Sequence, residues 1–364
     1  MTDFSQTTHR HLPRLIAWEL TRTCRLNCRH CRAAAENKHY DNELSTGQCF
    51  RLLDNIAAFS KPIIILTGGE PMLRADLYDI ATHGSSLGLR MVLATCGTLI
   101  NDGSIRKIID SGIQCISFSL DGATADSHDG FRRVPGAFDT VIAAAAATRR
   151  NGLPFQINTT IARHNLAELP RLLELSQELG AITFNPFLLV PTGRGKELAD
   201  QELSAQQYEQ TLQWLAECRD NSGIELRVTC APHYQRIIRQ NPNEQSHNNR
   251  SDCPGPKESH SYASGCMGGK TFAFVSHVGG VQLCGFLDLA AGDLRQNDFD
   301  FADIWKNSEL FRQVRDVNSY RGKCGYCEYR SLCGGCRARA YALTGDHLAS
   351  EPFCIYQPRK TGSM

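Results

Sequence analysis

From residue 15 to about residue 190, short β-branched apolar runs alternate with longer amphipathic stretches. The runs at 15–20, 63–67, 90–95, 115–120, 155–161 and 182–190, rich in β-branched and other apolar residues, read as buried strands. Between them, apolar residues at helical spacing predict helices over 45–59, 104–111, 137–151 and 166–179. Six strand-then-helix repeats predict an α/β fold with a parallel sheet, open or partly closed like a barrel. In such sheets, sites form at the carboxyl ends of the strands.

After residue 190 the pattern breaks into "PTGRGKELADQ", and an amphipathic helix is predicted over 204–218. The stretch 241–262 is rich in Asn, Pro, Ser and Gly, as loops are. Beyond it, "TFAFVSHVGGVQLCGF" predicts a hairpin turning at Gly279 and Gly280, followed by a cysteine-dense tail too short for a large core of its own. These shifts divide the chain into an N-terminal tail (1–14), a core (15–200), bridging helices and a linker (201–262) and a cysteine-rich segment (263–364).

Composition narrows the classes. The 364 residues are 41% hydrophobic and 21% charged, with a formal charge of +1, so no broad basic face for nucleic acid is implied. The first residues lack the apolar region of a secretory signal, and no apolar run approaches a membrane span. A cytoplasmic protein without nucleic-acid or membrane partners is expected. Sixteen cysteines in a reducing compartment read as metal ligands or catalytic groups rather than disulfides. Cys49, Cys115 and Cys218 sit in apolar patterns and read as core.

Three cysteines, Cys24, Cys28 and Cys31, follow the first strand in "TRTCRLNCRHC". Their spacing would also fit one helix face, but the neighbours are Arg22, Arg25, Asn27, Arg29, His30 and Arg32, too polar for a buried stripe. Thiolates are the usual ligands of iron-sulfur clusters, and a 4Fe-4S cluster takes four; three leave one iron open. This C-x3-C-x2-C motif resembles that of the radical S-adenosylmethionine (SAM) enzymes. The resemblance implies a partial (β/α)6 barrel and a 4Fe-4S cluster whose open iron is chelated by SAM. It also implies that one electron from the cluster, supplied by a donor such as a ferredoxin or flavodoxin, cleaves SAM to a 5′-deoxyadenosyl radical. His30 matches the position whose ring lies against the adenine. Gly68, Gly69 and Glu70 in "TGGEP" match the motif that receives the SAM amine. Ser119 and Asp121 in "SLDG" match residues facing the ribose and methionine, and Arg132 an arginine paired with the SAM carboxylate. "TCGTL" puts Cys96 where the family often has Asn.

In the tail, Cys324, Cys327 and Cys333 stand in C-x2-C-x5-C, followed by Cys336 and Cys354, with Cys266 and Cys284 upstream. A zinc knuckle has similar C-x2-C pairs. The set resembles the SPASM extension of radical SAM enzymes, which implies one or two auxiliary 4Fe-4S clusters. One would take Cys324, Cys327, Cys333 and Cys354. The other would take Cys266, Cys284 and Cys336, with a fourth ligand left open between Cys253 and His260. "CGGC" is one residue shorter than the usual spacing, which bears on the second cluster.

"AWELTRTC", "FRRVPGAF", "FLLVPTGRGKEL", "TCAPHY" and "CGGCRARAYALTGDHLASEPFC" are similar to the heme synthases of the siroheme-dependent heme pathway. That resemblance implies a tetrapyrrole substrate, iron-coproporphyrin III, and oxidative decarboxylation of two propionates to vinyl groups. Arg194 and Lys196 would meet its carboxylates, and Cys230 or His233 its iron or a propionate. Competing readings are a SPASM enzyme modifying a ribosomally made peptide, a siroheme or heme d1 side-chain enzyme, and a non-enzymatic electron carrier. The last would leave "TGGEP", "SLDG" and Arg132 without purpose.

Overall fold

The computed structural model describes residues 11–241 and 265–359, so Cys253 and His260 lie outside the described residues. The six apolar runs are parallel strands, β1 (Leu15–Thr21), β2 (Ile63–Gly68), β3 (Arg90–Thr95), β4 (Ile113–Ser119), β5 (Phe155–Ile161) and β6 (Thr183–Leu188), adjacent in chain order. The connections carry α1 (Thr46–Phe59), α2 (Leu77–Ser86), α3 (Asp102–Asp110), α4 (Ala125–Arg132), α5 (Ala137–Arg150) and α6 (Leu169–Leu179). α1 begins where Ser45 accepts from the Gln48 amide and the Gln48 side chain returns to the Ser45 amide, a reciprocal cap. Its Cys49, Leu52, Leu53 and Ile56 recur at helical spacing and are buried. α2 and α4 are not among the helices the periodicity predicts; α4 is mostly polar, and starts because Thr124 accepts from the Ser127 amide.

The sheet continues past both ends of the six-strand run. β7 (Glu225–Leu226) pairs with β6, and β8 (Phe272–Val275) runs parallel to β1, with Leu15 opposite Phe272. β9 (Gly280–Cys284) and β10 (Leu287–Asp293) complete an order of β10-β9-β8-β1-β2-β3-β4-β5-β6-β7. The β8–β9 turn forms where expected: Gly279 has φ +95°, and the Gly280 amide donates to Ser276 Oγ at 2.9 Å. α7 (Ala205–Cys218) and α8 (Tyr234–Gln240) flank β7 in the chain and pack on each other, and α9 (Phe301–Asn307), α10 (Glu309–Arg315), α11 (Gly322–Tyr326) and α12 (Arg337–Thr344) follow β10. Phe301, Trp305, Phe311 and Val314 join the same apolar core as Trp18 and Leu53. Residues on both sides of the boundary expected near 263 therefore share one sheet and one core. Cys49 and Cys115 are buried, and Cys218 packs half-buried against the core. Among the described residues no helix is long and apolar enough to cross a membrane.

Candidate active site and cysteine centres

Cys24, Cys28 and Cys31 lie on an irregular loop after β1, not on a helix. Each sulfur receives one N–H: Leu26 to Cys24 at 3.4 Å, Ala35 to Cys31 at 3.4 Å and Arg132 Nη1 to Cys28 at 3.6 Å. Burial pushes the Cys24 thiol up to about 12 against the opposing Leu26 amide, and it raises Cys28 as well. A cationic centre removes that penalty because coordinated sulfur is thiolate, and N–H groups aimed at sulfur suit the same state. The loop therefore fits an iron-sulfur cluster.

The loop is fixed by groups from three other segments. A Cβ on Gly68 would lie 2.3 Å from Thr21 O, and one on Gly69 would lie 2.4 Å from Thr23 O and 2.5 Å from Arg22 O, so only glycine permits this approach. In that approach the Gly69 and Glu70 amides donate to Thr21 O and Thr23 O, both at 2.8 Å. From beyond β6, Arg194 donates Nε to Cys28 O at 2.9 Å, Nη1 to Ala35 O at 2.8 Å and its amide to Cys31 O at 3.0 Å. The arginine expected to meet substrate carboxylates thus has its guanidinium on the cysteine loop, while Lys196 is exposed. Below the loop, Glu19 is completely buried, with Arg22 Nε and Arg32 Nη1 at 2.8 Å and His277 Nδ1 at 2.9 Å. Burial opposes its charge, yet His277, Arg32 and Arg22 together hold it well below the usual carboxylate range.

Glu70 is buried and its carboxylate accepts from Thr95 Oγ1 at 2.9 Å, the Cys96 amide at 2.8 Å and the Met72 amide at 3.0 Å. At the position where Asn is usual, the Cys96 backbone serves Glu70 and the thiol lies 3.2 Å from Thr98 Oγ1. Ser119 ends β4, half-buried. Asp121 beyond it is fully buried: Oδ1 accepts from the Thr160 amide at 2.7 Å, and Oδ2 is 2.5 Å from Arg132 Nη2 and 3.5 Å from His30 Nε2. Against the cost of burial, Arg132 and the neighbouring histidines hold Asp121 at about 2. The His30 ring stacks on Phe131 at 4.4 Å and Phe131 on His164 at 4.0 Å, and burial keeps His30 neutral, at about 3.

Phe131, His164 and His128 escape the sequence reading. His128 Nδ1 accepts from the Asp121 amide at 3.0 Å, and Asn165 Nδ2 donates to Asp121 O at 2.8 Å. The available signal was His128 and Arg132 one turn apart in an otherwise polar helix, both buried.

In the tail, Cys324, Cys327, Cys333 and Cys354 line one cavity of about 400 Å³, including its open mouth, together with His233, Arg236, Lys323 and Arg330. Cys324 Sγ accepts from the Glu351 amide at 3.3 Å and Cys333 Sγ from the Gly335 amide at 3.4 Å. Two successive glycines with positive φ, Gly334 and Gly335, turn the chain so that Cys333 lines this cavity while Cys336 caps α12. Burial raises the Cys336 thiol to about 11, with Cys266 adding to it; burial also raises Cys284, under the influence of Cys266 and Cys336. Cys230 belongs with this second group. Burial, then Cys336, Cys284 and Cys266, push its thiol far up, and its carbonyl accepts from the buried Arg339 at 3.0 Å. Arg339 also faces Glu351, whose Oε2 accepts from the Cys336 amide at 2.8 Å. His233 is fully buried against Tyr208, and burial lowers it to about 4. Among the described residues, no three His, Cys, Asp or Glu side chains are set to hold a single metal ion, as a zinc knuckle requires.

The chain matches the radical SAM superfamily over residues 18–176 and an iron-sulfur cluster-binding domain, SPASM, over residues 266–337. It is 47% identical to the AdoMet-dependent heme synthase of Methanosarcina barkeri, over 96% of this chain and 98% of that protein. It is 46% identical to the AdoMet-dependent heme synthase of Oleidesulfovibrio alaskensis, over 95% of this chain and 88% of that one. The solved structure of Streptococcus suis SuiB bound to S-adenosylmethionine superposes with a TM-score of 0.74 at 17% identity, covering 97% of this chain and 80% of that chain, a likeness of fold.

Proposed function

The chain belongs to the radical SAM enzymes with a SPASM extension, and from that premise we propose that it is a heme synthase acting on iron-coproporphyrin III, releasing two propionate carboxyls as carbon dioxide and leaving vinyl groups. The observation that carries the reading is near-half identity, over nearly the whole chain, to proteins named AdoMet-dependent heme synthase. Each propionate loses one hydrogen atom, one carbon dioxide and one electron, so the reaction needs both a hydrogen abstractor and an electron acceptor. SAM at its cluster supplies the abstracting radical when bound.

In this reading Cys24, Cys28 and Cys31 hold that cluster, and Arg194, Gly68 and Gly69 fix the loop that carries them. Arg132 Nε is buried without a hydrogen-bond partner, which leaves a donor for the SAM carboxylate beside Asp121. His30, flat on Phe131, presents a neutral ring for the adenine. Cys324, Cys327, Cys333 and Cys354 hold one auxiliary cluster, and Cys266, Cys284 and Cys336 a second. For the fourth ligand of the second, Cys230 stands beside the two earlier candidates, because after burial the charges of Cys336, Cys284 and Cys266 are what push its thiol up. A ferredoxin or flavodoxin serves as donor.

The test is anaerobic incubation of reconstituted protein with SAM, a strong reductant and iron-coproporphyrin III, followed by mass spectrometry. Loss of two carboxyls with formation of 5′-deoxyadenosine is the expected result. If SAM is cleaved and the porphyrin returns unchanged, the substrate assignment falls and peptides are the next substrates to try.

A further inference from the structure

His233 has no task in the reaction just described. Its ring is fully buried, yet neither ring nitrogen has a hydrogen-bond partner, and an unpaired buried donor is costly. The ring forms part of the wall of the cavity lined by Cys324, Cys327, Cys333 and Cys354. Arg236, one turn of chain further on, lines the same wall. Its Nη2 is 2.5 Å from Glu209 and its Nη1 donates to Gln240 at 2.7 Å, but Nε is buried and unpaired. Two orphaned donors therefore flank one cavity, with the cation Lys323 beside them. A cluster bound by four thiolates carries net negative charge, and hydrogen bonds to its sulfurs raise its potential.

We infer that His233 and the Nε of Arg236 donate hydrogen bonds to the sulfurs of the auxiliary cluster held by Cys324, Cys327, Cys333 and Cys354, and so raise its reduction potential. This places His233 on an iron-sulfur centre rather than on the tetrapyrrole. That the tuned cluster accepts the electrons of decarboxylation rests on the proposed function; the hydrogen bonds themselves do not.

The experiment is an EPR-monitored redox titration of the reconstituted holoenzyme without SAM or porphyrin, so failure to convert the porphyrin leaves its result untouched. Wild type, His233→Phe and His233→Gln are compared, with iron content measured in parallel, and the signal is assigned by its absence from Cys327→Ala. His233→Phe is expected to lower the midpoint, raising the oxidised-to-reduced ratio at a fixed poise about fivefold, the worth of one ordinary hydrogen bond. His233→Gln, which keeps an N–H, should lie nearer wild type; if only the Phe variant sheds the cluster, a near-native Gln midpoint supports the inference. An unchanged midpoint in a fully loaded Phe variant overturns it. So do equal shifts in both variants, or loss of the cluster from both, which would make the ring a packing element.

Discussion

In the proposed function the two cysteine regions solve the same problem, holding sulfur around iron, by opposite routes. The first takes its thiols from eight consecutive residues and depends on distant segments only to brace the loop: Gly69 from just after β2, Arg194 from beyond β6, Arg132 from α4. The second collects thiols from widely separated segments, and the side chains between them, such as Arg339 and Glu351, are fully buried. A local motif can afford an open coordination position because its scaffold is independent of the ligand. A dispersed set depends on the cluster it encloses, as small metal-stapled regions do.

The largest effect should separate the regions by activity. Cys28→Ala should abolish 5′-deoxyadenosine formation, by at least about 10³-fold or roughly 4 kcal/mol of barrier. Cys327→Ala should keep SAM cleavage within about tenfold while losing vinyl formation, since the proposed SAM site lies in the first region. Equal loss of SAM cleavage in both would show that the regions act as one unit.

A smaller effect should separate them by stability. Gly69→Ala puts a methyl against the backbone of the cysteine loop and should cost about 1–3 kcal/mol in urea unfolding, with iron lost first from the N-terminal site. Gly335→Ala, whose Cβ would sit 2.5 Å from Arg337 Nη2 at φ +64°, should instead deplete the C-terminal iron. Iron loss spread evenly over both sites in either variant would contradict independent scaffolds.

The smallest effect is in pH. Burial, with Arg132, lowers His128 from its ordinary 6.5 to about 4 in the folded protein. Between those values the unfolded chain takes up a proton that the folded one refuses, so this contribution to stability is lost as pH falls from 6.5 toward 4. His128→Asn should flatten the pH dependence of the urea midpoint in that window and leave it unchanged above pH 7.

The strands were legible because short β-branched and apolar runs alternate with helical patterns, even where a strand such as β5 (Phe155–Ile161) buries only every second residue fully, and the first cysteine triplet because its meaning lies within eight residues. α4 was not, since its buried face is made of His128, Phe131 and Arg132 rather than aliphatic residues. Arg194 was legible as a cation beyond a strand's carboxyl end, but its direction, back onto the loop carbonyls, depends on tertiary packing. The electrostatic influence of Cys266, Cys284 and Cys336 on Cys230 had no local signal, because no periodicity links residues so far apart in sequence. The pairing of β8 with β1 was hidden for the same reason: four residues do not announce which edge they will join.

That pairing has a consequence for synthesis. β1 acquires β2 on one side early, but its other edge is completed only when residues 272–275 leave the ribosome, roughly 10–50 s later at about 5–20 residues per second. Throughout that interval the nascent chain presents an unpaired apolar edge of the kind that invites intermolecular pairing. A chain stopped before the hairpin would keep that edge for good, so the same hydrogen bonds that join the two cysteine regions also set a deadline for the protein's escape from aggregation during translation.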